Sequence, residues 1–86
     1  MISNQLNIIE GINPEEDALR KLGNRVKTLR IKGGYLNYEK FAYKIGVGRI
    51  LLRRVELGGN VKYLNLLKII NGLGITPAEF FSEGFD

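Results

Sequence analysis

The chain of 86 residues is 44% hydrophobic and 26% charged, which suits one small packed core and argues against disorder. It contains no Cys and no His, which removes disulfide bonds, thiolate zinc sites, the commonest metal ligand and the commonest catalytic base. Its formal net charge is +4. Because its two serines, Ser3 and Ser82, lie near the termini with no base to activate them, we expect neither an enzyme nor a cofactor.

The charge is unevenly distributed along the chain. All 13 Lys and Arg residues lie within residues 20–68, a segment whose only acids are Glu39 and Glu56, so its net charge is +11. The flanking segments hold the other seven acids and no base. A basic centre between acidic ends is typical of a nucleic-acid-binding face, because Lys and Arg neutralise phosphates. The alternative is a set of solvated helix surfaces.

Residues 1–12 are the least readable part of the chain. Their isoleucines either cover a corner of the core or a partner, or belong to a loose arm, and the sequence does not decide between these. The segment lacks the basic stretch and long apolar run of a secretory signal, and no apolar run in the chain approaches the roughly 18 residues of a membrane span. We therefore expect a cytoplasmic protein with an N-terminal arm, 1–12, and a single domain, 13–86.

The domain is predicted to begin with a helix that runs to about residue 32. Asn13 can cap it, Pro14 is tolerated at its first position, and acids follow at the positive end of the helix dipole. Gly33 and Gly34 end the helix. Its buried stripe is predicted to consist of Leu19, Leu22, Val26 and Leu29.

Two short helices around a tight bend are predicted for residues 37–58. Asn37 caps the first, Tyr38–Ile45, and Gly46 ends it where a left-handed backbone favours glycine. The second spans residues 49–57. Its inward positions are Leu52 and Val55, and its outward positions are Arg49, Arg53 and Arg54.

Two further helices complete the predicted domain. One spans residues 61–72, with an apolar face of Leu66, Leu67, Ile69, Ile70 and Leu73, and its Gly72 is expected to let another helix approach. The other is short, opens with a capping box from Thr76 to Glu79, and holds Phe80 and Phe81.

The bend resembles the helix-turn-helix of the phage-repressor (Cro-like, XRE-type) DNA-binding family. The family pattern L-A-x-x-L-G-V…I-x-x-I-E-x-G is matched by Phe41, Ala42, Ile45, Gly46, Val47, Leu52, Val55, Glu56 and Gly58. Similarity to the family extends over residues 22–81. The resemblance implies an all-α, five-helix domain of the lambda-repressor-like type, with residues 49–57 as the recognition helix.

The first helix resembles the family form L-G-x-R-[IV]-[KR]-x-L-R, in which an arginine pairs with a glutamate late in the recognition helix. Arg30 and Glu56 occupy these places, so the resemblance implies an ion pair between them. The alternative is two unrelated surface charges.

The resemblance also implies which residues contact DNA. Base contacts are expected from Arg49 and Arg54, because Arg can bind guanine O6 and N7 together, and from Ile50, for which a thymine methyl is a physical partner. Phosphate contacts are expected from Asn37, Tyr38, Arg53 and Lys62.

Two departures from the family pattern affect these expectations. Gly48 replaces the usual Ser or Thr cap of the recognition helix, which loses a capping bond. The run Ile50-Leu51-Leu52 is more apolar than a groove-facing helix normally is, and only Leu52 is expected in the core. Exposure of Ile50 and Leu51 would favour an alternative function, a protein-interaction module such as the antitoxin of a toxin–antitoxin pair.

We therefore expect a small transcriptional regulator, a repressor by the resemblance, that binds duplex DNA. With one recognition helix per chain, the expected form is a homodimer on a near-palindromic site. Phe81 and Phe85 either seat the dimer contact or close the core.

Overall fold

In the computed structural model, which describes residues 13–86, the chain forms five α-helices and no β-strand. The helices are α1 (Pro14–Lys32), α2 (Tyr38–Ile45), α3 (Arg49–Glu56), α4 (Tyr63–Gly72) and α5 (Pro77–Phe80). The predicted all-α, five-helix fold is confirmed. The expected N-terminal arm, 1–12, lies outside the described residues. Within the described range, no helix combines the length and apolar character needed to cross a membrane.

Two asparagines start the first two helices. The Asn13 Oδ1 atom accepts hydrogen bonds from the backbone N–H groups of Glu15 and Glu16 at 2.8 and 3.2 Å. Asn37 Oδ1 accepts from Glu39 and Lys40 at 2.9 and 3.1 Å. Both caps satisfy N–H groups that have no partner within the helix. The predicted starts of α1 and α2 are therefore confirmed.

Three helix boundaries differ from the predictions. α3 ends at Glu56, one residue before the predicted end at residue 57. The sequence predicts both Phe80 and Phe81 in α5, but α5 ends at Phe80 and leaves Phe81 as its C-cap. α4 begins at Tyr63 rather than at residue 61, because Lys62 is an extended N-cap and Val61 packs against the core from outside the helix. Val61 thus has the spacing of a helical residue but lies in the connection before α4, where packing against the core holds it.

The core lies where all five helices meet. Its buried apolar side chains are Val26, Phe41, Ala42, Val47, Leu52, Val55, Leu66, Ile69, Ile70 and Phe80. Of the predicted α1 stripe only Val26 is fully buried, whereas Leu19, Leu22 and Leu29 are half-buried. α1 therefore lies at the edge of the core, with one residue inserted deeply.

Two glycines allow helices to approach closely. A Cβ atom at Gly23 of α1 would overlap the carbonyl oxygen of Val55, so the backbones of α1 and α3 nearly touch. A Cβ atom at Gly72 would overlap the side chain of Ile45, which confirms that Gly72 lets another helix approach. The first contact fixes the depth at which α3 lies on the domain.

Candidate nucleic-acid interface

The bend between α2 and α3 is a tight helix-turn-helix connection. Gly46 ends α2 in the left-handed region, with φ of 77°, a conformation that costs side-chain-bearing residues energy. Val47 then turns inward and is buried, and Gly48 is the N-cap of α3. This geometry presents one face of α3 outward beside the start of α2.

The inner face of α3 is built into the core. Leu52 and Val55 are completely buried, and Leu51 packs against the core while half-buried. The expectation that only Leu52 of the apolar run serves the core is therefore wrong, because Leu51 also packs inward. Exposure of both Ile50 and Leu51 would favour a protein-interaction module, but only Ile50 is exposed.

The outer face of α3 forms one wall of an open groove of about 820 Å³. The start of α2 and the glycines after α3 form the rest. The lining residues are Tyr38, Glu39, Arg49, Ile50, Arg53, Arg54, Leu57, Gly58 and Gly59. This surface brings the three predicted outward arginines together with Ile50. A convex helix with arginines along it has the shape and charge that suit the major groove of DNA.

Two of these arginines are held by α2. Arg49 Nη1 donates a hydrogen bond to Glu39 Oε2 at 3.0 Å, between side chains that are 68% and 46% exposed. The guanidinium of Arg53 lies 5.3 Å from the centre of the Tyr38 ring, within cation–π range. Both arginines thus start from defined positions. Glu39 was not identified from the sequence as a partner of Arg49, although it is one of only two acids in residues 20–68.

The third arginine, Arg54, lies between the groove and a smaller cleft that also includes Lys62. A Cβ atom at Gly59 would overlap the Arg54 side chain, so the glycine leaves room for the arginine. Lys62 itself is exposed at the N-cap of α4 and does not line the main groove. The two residues therefore border one cleft between α3 and the start of α4.

The starts of α2 and α3 differ in how they are capped. Asn37 uses its carbonyl oxygen for capping, so its amide NH₂ is the group left to donate to an anion. Gly48 makes no side-chain capping bond, as predicted, and the first N–H groups of α3 therefore have no side-chain acceptor.

A buried ion pair connects α1 to α3. Arg30 Nε and Nη2 donate to the two carboxylate oxygens of Glu56 at 2.7 and 2.9 Å, and the side chains are 4% and 0% exposed. Arg30 Nη1 also donates to the carbonyl oxygens of Tyr35 and Leu36 at 2.6 and 3.1 Å. One guanidinium thus connects α1, the loop before α2 and the end of α3, and it fixes the orientation of the helix-turn-helix.

Not every basic residue of the central segment, residues 20–68, is available to a ligand. Arg25 donates to the carbonyl oxygens of Phe80 and Glu79 at 2.7 and 2.9 Å, and its side chain is 10% exposed. It therefore stabilises the C-terminal end of α5, where helix carbonyls lack partners. With Arg30 also buried, the charge that faces solvent is smaller than the sequence total.

The fold and the groove together define a class of protein, the small all-helical domain with a helix-turn-helix whose second helix, α3, carries three exposed arginines. The chain is 42% identical over 64 residues to Control protein C.MunI of a Mycoplasma species, a match that covers 73% of this chain and 86% of that protein. The chain therefore belongs to the phage-repressor-like, XRE-type helix-turn-helix family. No family model matches the chain, and no solved structure matches it.

Proposed function

We propose that the protein is a small transcriptional regulator that binds duplex DNA sequence-specifically, with α3 in the major groove. The observation that carries the proposal is the division of α3 into a buried apolar face and an exposed face with three arginines. The name of the related control protein supports a regulatory role. A regulator of this kind occupies an operator and acts on transcription without enzymatic chemistry.

The proposed roles follow the geometry of the groove. Arg49 and Arg54 read guanine through paired hydrogen bonds, and Ile50 contacts an apolar base edge. Arg53, which stacks on Tyr38, reaches the phosphate backbone beside the major groove. The remaining phosphate contacts come from the Asn37 amide, the Tyr38 hydroxyl and Lys62.

The protein is proposed to act as a homodimer, because one short recognition helix reads few base pairs. Phe81 is 46% exposed and packs edge-on against the buried Phe80 ring at 4.9 Å, whereas Phe85 is half-buried beside both. Phe81 therefore offers the larger free apolar surface for a second copy. Sedimentation velocity should show that Phe81→Ser is a folded monomer, and a dimer of unchanged affinity would exclude this contact.

Selection from a randomised duplex pool tests the proposed function. The wild type should enrich a near-palindrome with half-sites about 34 Å apart, one helical turn of DNA. Arg49→Ala and Arg54→Ala should lose the enrichment. Arg20→Ala removes the same charge from an exposed side chain on α1 outside the groove and should retain it.

The other outcomes of this selection decide between the alternatives. Binding that is sensitive to salt but enriches no sequence would mean that the groove attracts DNA by its charge and does not read its sequence. No binding by a folded protein would favour the second candidate, a protein-interaction module such as an antitoxin. The exposed Ile50 is the observation that keeps this candidate open.

A further inference from the structure

The outer face of α3 carries an apolar side chain that the core does not explain. Ile50 is 74% exposed, although Leu51 and Leu52, the next two residues, pack into the core. It lines the same groove as Arg49, Arg53 and Arg54. A β-branched side chain in the first turn of a helix has few rotamers, so Ile50 presents a stiff apolar surface at a defined place.

The major groove offers few partners for such a surface. Guanine, adenine and cytosine present hydrogen-bond donors and acceptors at their groove edges, and an isoleucine satisfies none of them. Thymine also presents its C5-methyl group there. A cytosine methylated at C5 carries a methyl group at the same ring position, so an isoleucine meets the same apolar surface on either base.

We propose that Ile50 makes this protein a reader of pyrimidine C5-methyl groups, so that its affinity responds to 5-methylcytosine as well as to thymine. The inference rests on the proposed function, because it assigns a ligand chemistry to the same groove. Ile50 precedes Arg54 by four residues, which is about 6 Å along a helix, and base pairs are stacked about 3.4 Å apart. The methyl group that Ile50 contacts therefore lies within about two base pairs of a guanine read by arginine.

The expected effect is modest and measurable. Burying one methyl group corresponds to about 0.8 kcal/mol, which is about a fourfold change in affinity. Two equivalent half-sites in a dimer, at about fourfold each, give about sixteenfold. A polar side chain at position 50 should abolish the difference.

The test uses the full chain and four versions of its selected operator. The base pair to vary is the operator position at which Ile50→Ser shows a weaker base preference than the wild type. The four duplexes carry thymine or uracil opposite adenine, and 5-methylcytosine or cytosine opposite guanine. Each pair of duplexes differs by a methyl group alone, so the base pair and its hydrogen bonds are held constant.

The inference predicts tighter binding of the methylated member in both pairs, by about fourfold per half-site. Ile50→Val should retain most of this preference, and Ile50→Ser should lose it while keeping the wild-type melting temperature. Ile31→Ser replaces a 43% exposed isoleucine outside the groove and should leave the preference intact.

Equal binding of methylated and unmethylated duplexes at an enriched operator would overturn this inference and leave the proposed function standing. A preference that persists in Ile50→Ser would also overturn it, because the methyl group would then be read elsewhere. A pool from which no operator is enriched would overturn the proposed function itself, and this inference with it.

Discussion

Glu56→Ala is expected to be among the most destabilising substitutions of a charged residue in this domain. Its carboxylate is completely buried and accepts two hydrogen bonds from Arg30, whose side chain is 4% exposed. The substitution leaves a buried guanidinium with only two backbone carbonyls as partners. Breaking a buried pair in this way costs about 3–5 kcal/mol. A domain of this size is stable by only about 4–13 kcal/mol.

Urea unfolding followed by circular dichroism at 222 nm measures this cost. Glu39→Ala is the matched control, because it breaks the exposed pair with Arg49 on the same helix-turn-helix and should cost less than about 1 kcal/mol. At about 4–8 °C per kcal/mol, Glu56→Ala should also lower the melting temperature by at least about 12 °C.

A double substitution separates burial from pairing. Replacing both partners by apolar residues, as in Arg30→Met with Glu56→Leu, removes the unpaired charge and should cost less stability than Glu56→Ala alone. A loss of stability for Glu56→Ala that matches the loss for Glu39→Ala would refute the reasoning. Such a result would mean that burying Arg30 does not increase the stability lost when its partner is removed.

Three further predictions concern other parts of the molecule. Gly23→Ala should destabilise the domain by about 1–3 kcal/mol, because its Cβ would overlap a backbone carbonyl of α3; a gain of about 1 kcal/mol, which helix propensity alone predicts, would contradict the close contact. With two charged phosphate contacts proposed per chain, Arg53 and Lys62, the affinity of the dimer for DNA should fall roughly 100-fold between 50 and 200 mM salt. Lys62→Ala should make the slope of log affinity against log salt concentration less steep by about 2. An unchanged slope would exclude this contact. Hydrogen bonds from Arg20 and Lys21 lower the pKa of Asp17 below its ordinary value of 3.8, so its contribution is present above pH 3.8 and lost as the pH falls through the lowered pKa. Melting temperatures measured from pH 5 to pH 2 should therefore fall less steeply for Asp17→Asn, and an identical profile would contradict this assignment.

The sequence predicted the helix starts well where their causes are local. Asn13 and Asn37 cap their helices through atoms two or three residues away, and Gly46 ends α2 through its own backbone. The start of α4 was placed too early because Val61 has the spacing of a helical residue. Its extended position depends on packing against the core, which local spacing does not contain.

The candidate site was predictable only in part. Helical spacing placed the arginines of α3 outward, but the contact between Glu39 and Arg49 depends on the angle at which α2 and α3 cross. The same limit applies to the apolar run of α3. Spacing alone did not show that Leu51 packs inward whereas Ile50 stays exposed, because the packing of the neighbouring helices decides this.

The ratio of two dissociation constants tests the central claim most directly. The wild type is titrated at 150 mM salt against its selected operator and against a scrambled duplex of the same composition. Sequence-specific binding through α3 predicts an affinity ratio of at least about 1000, which Arg49→Ala and Arg54→Ala should reduce. A ratio near one for the folded protein would contradict the account, because the groove would then attract DNA by charge alone.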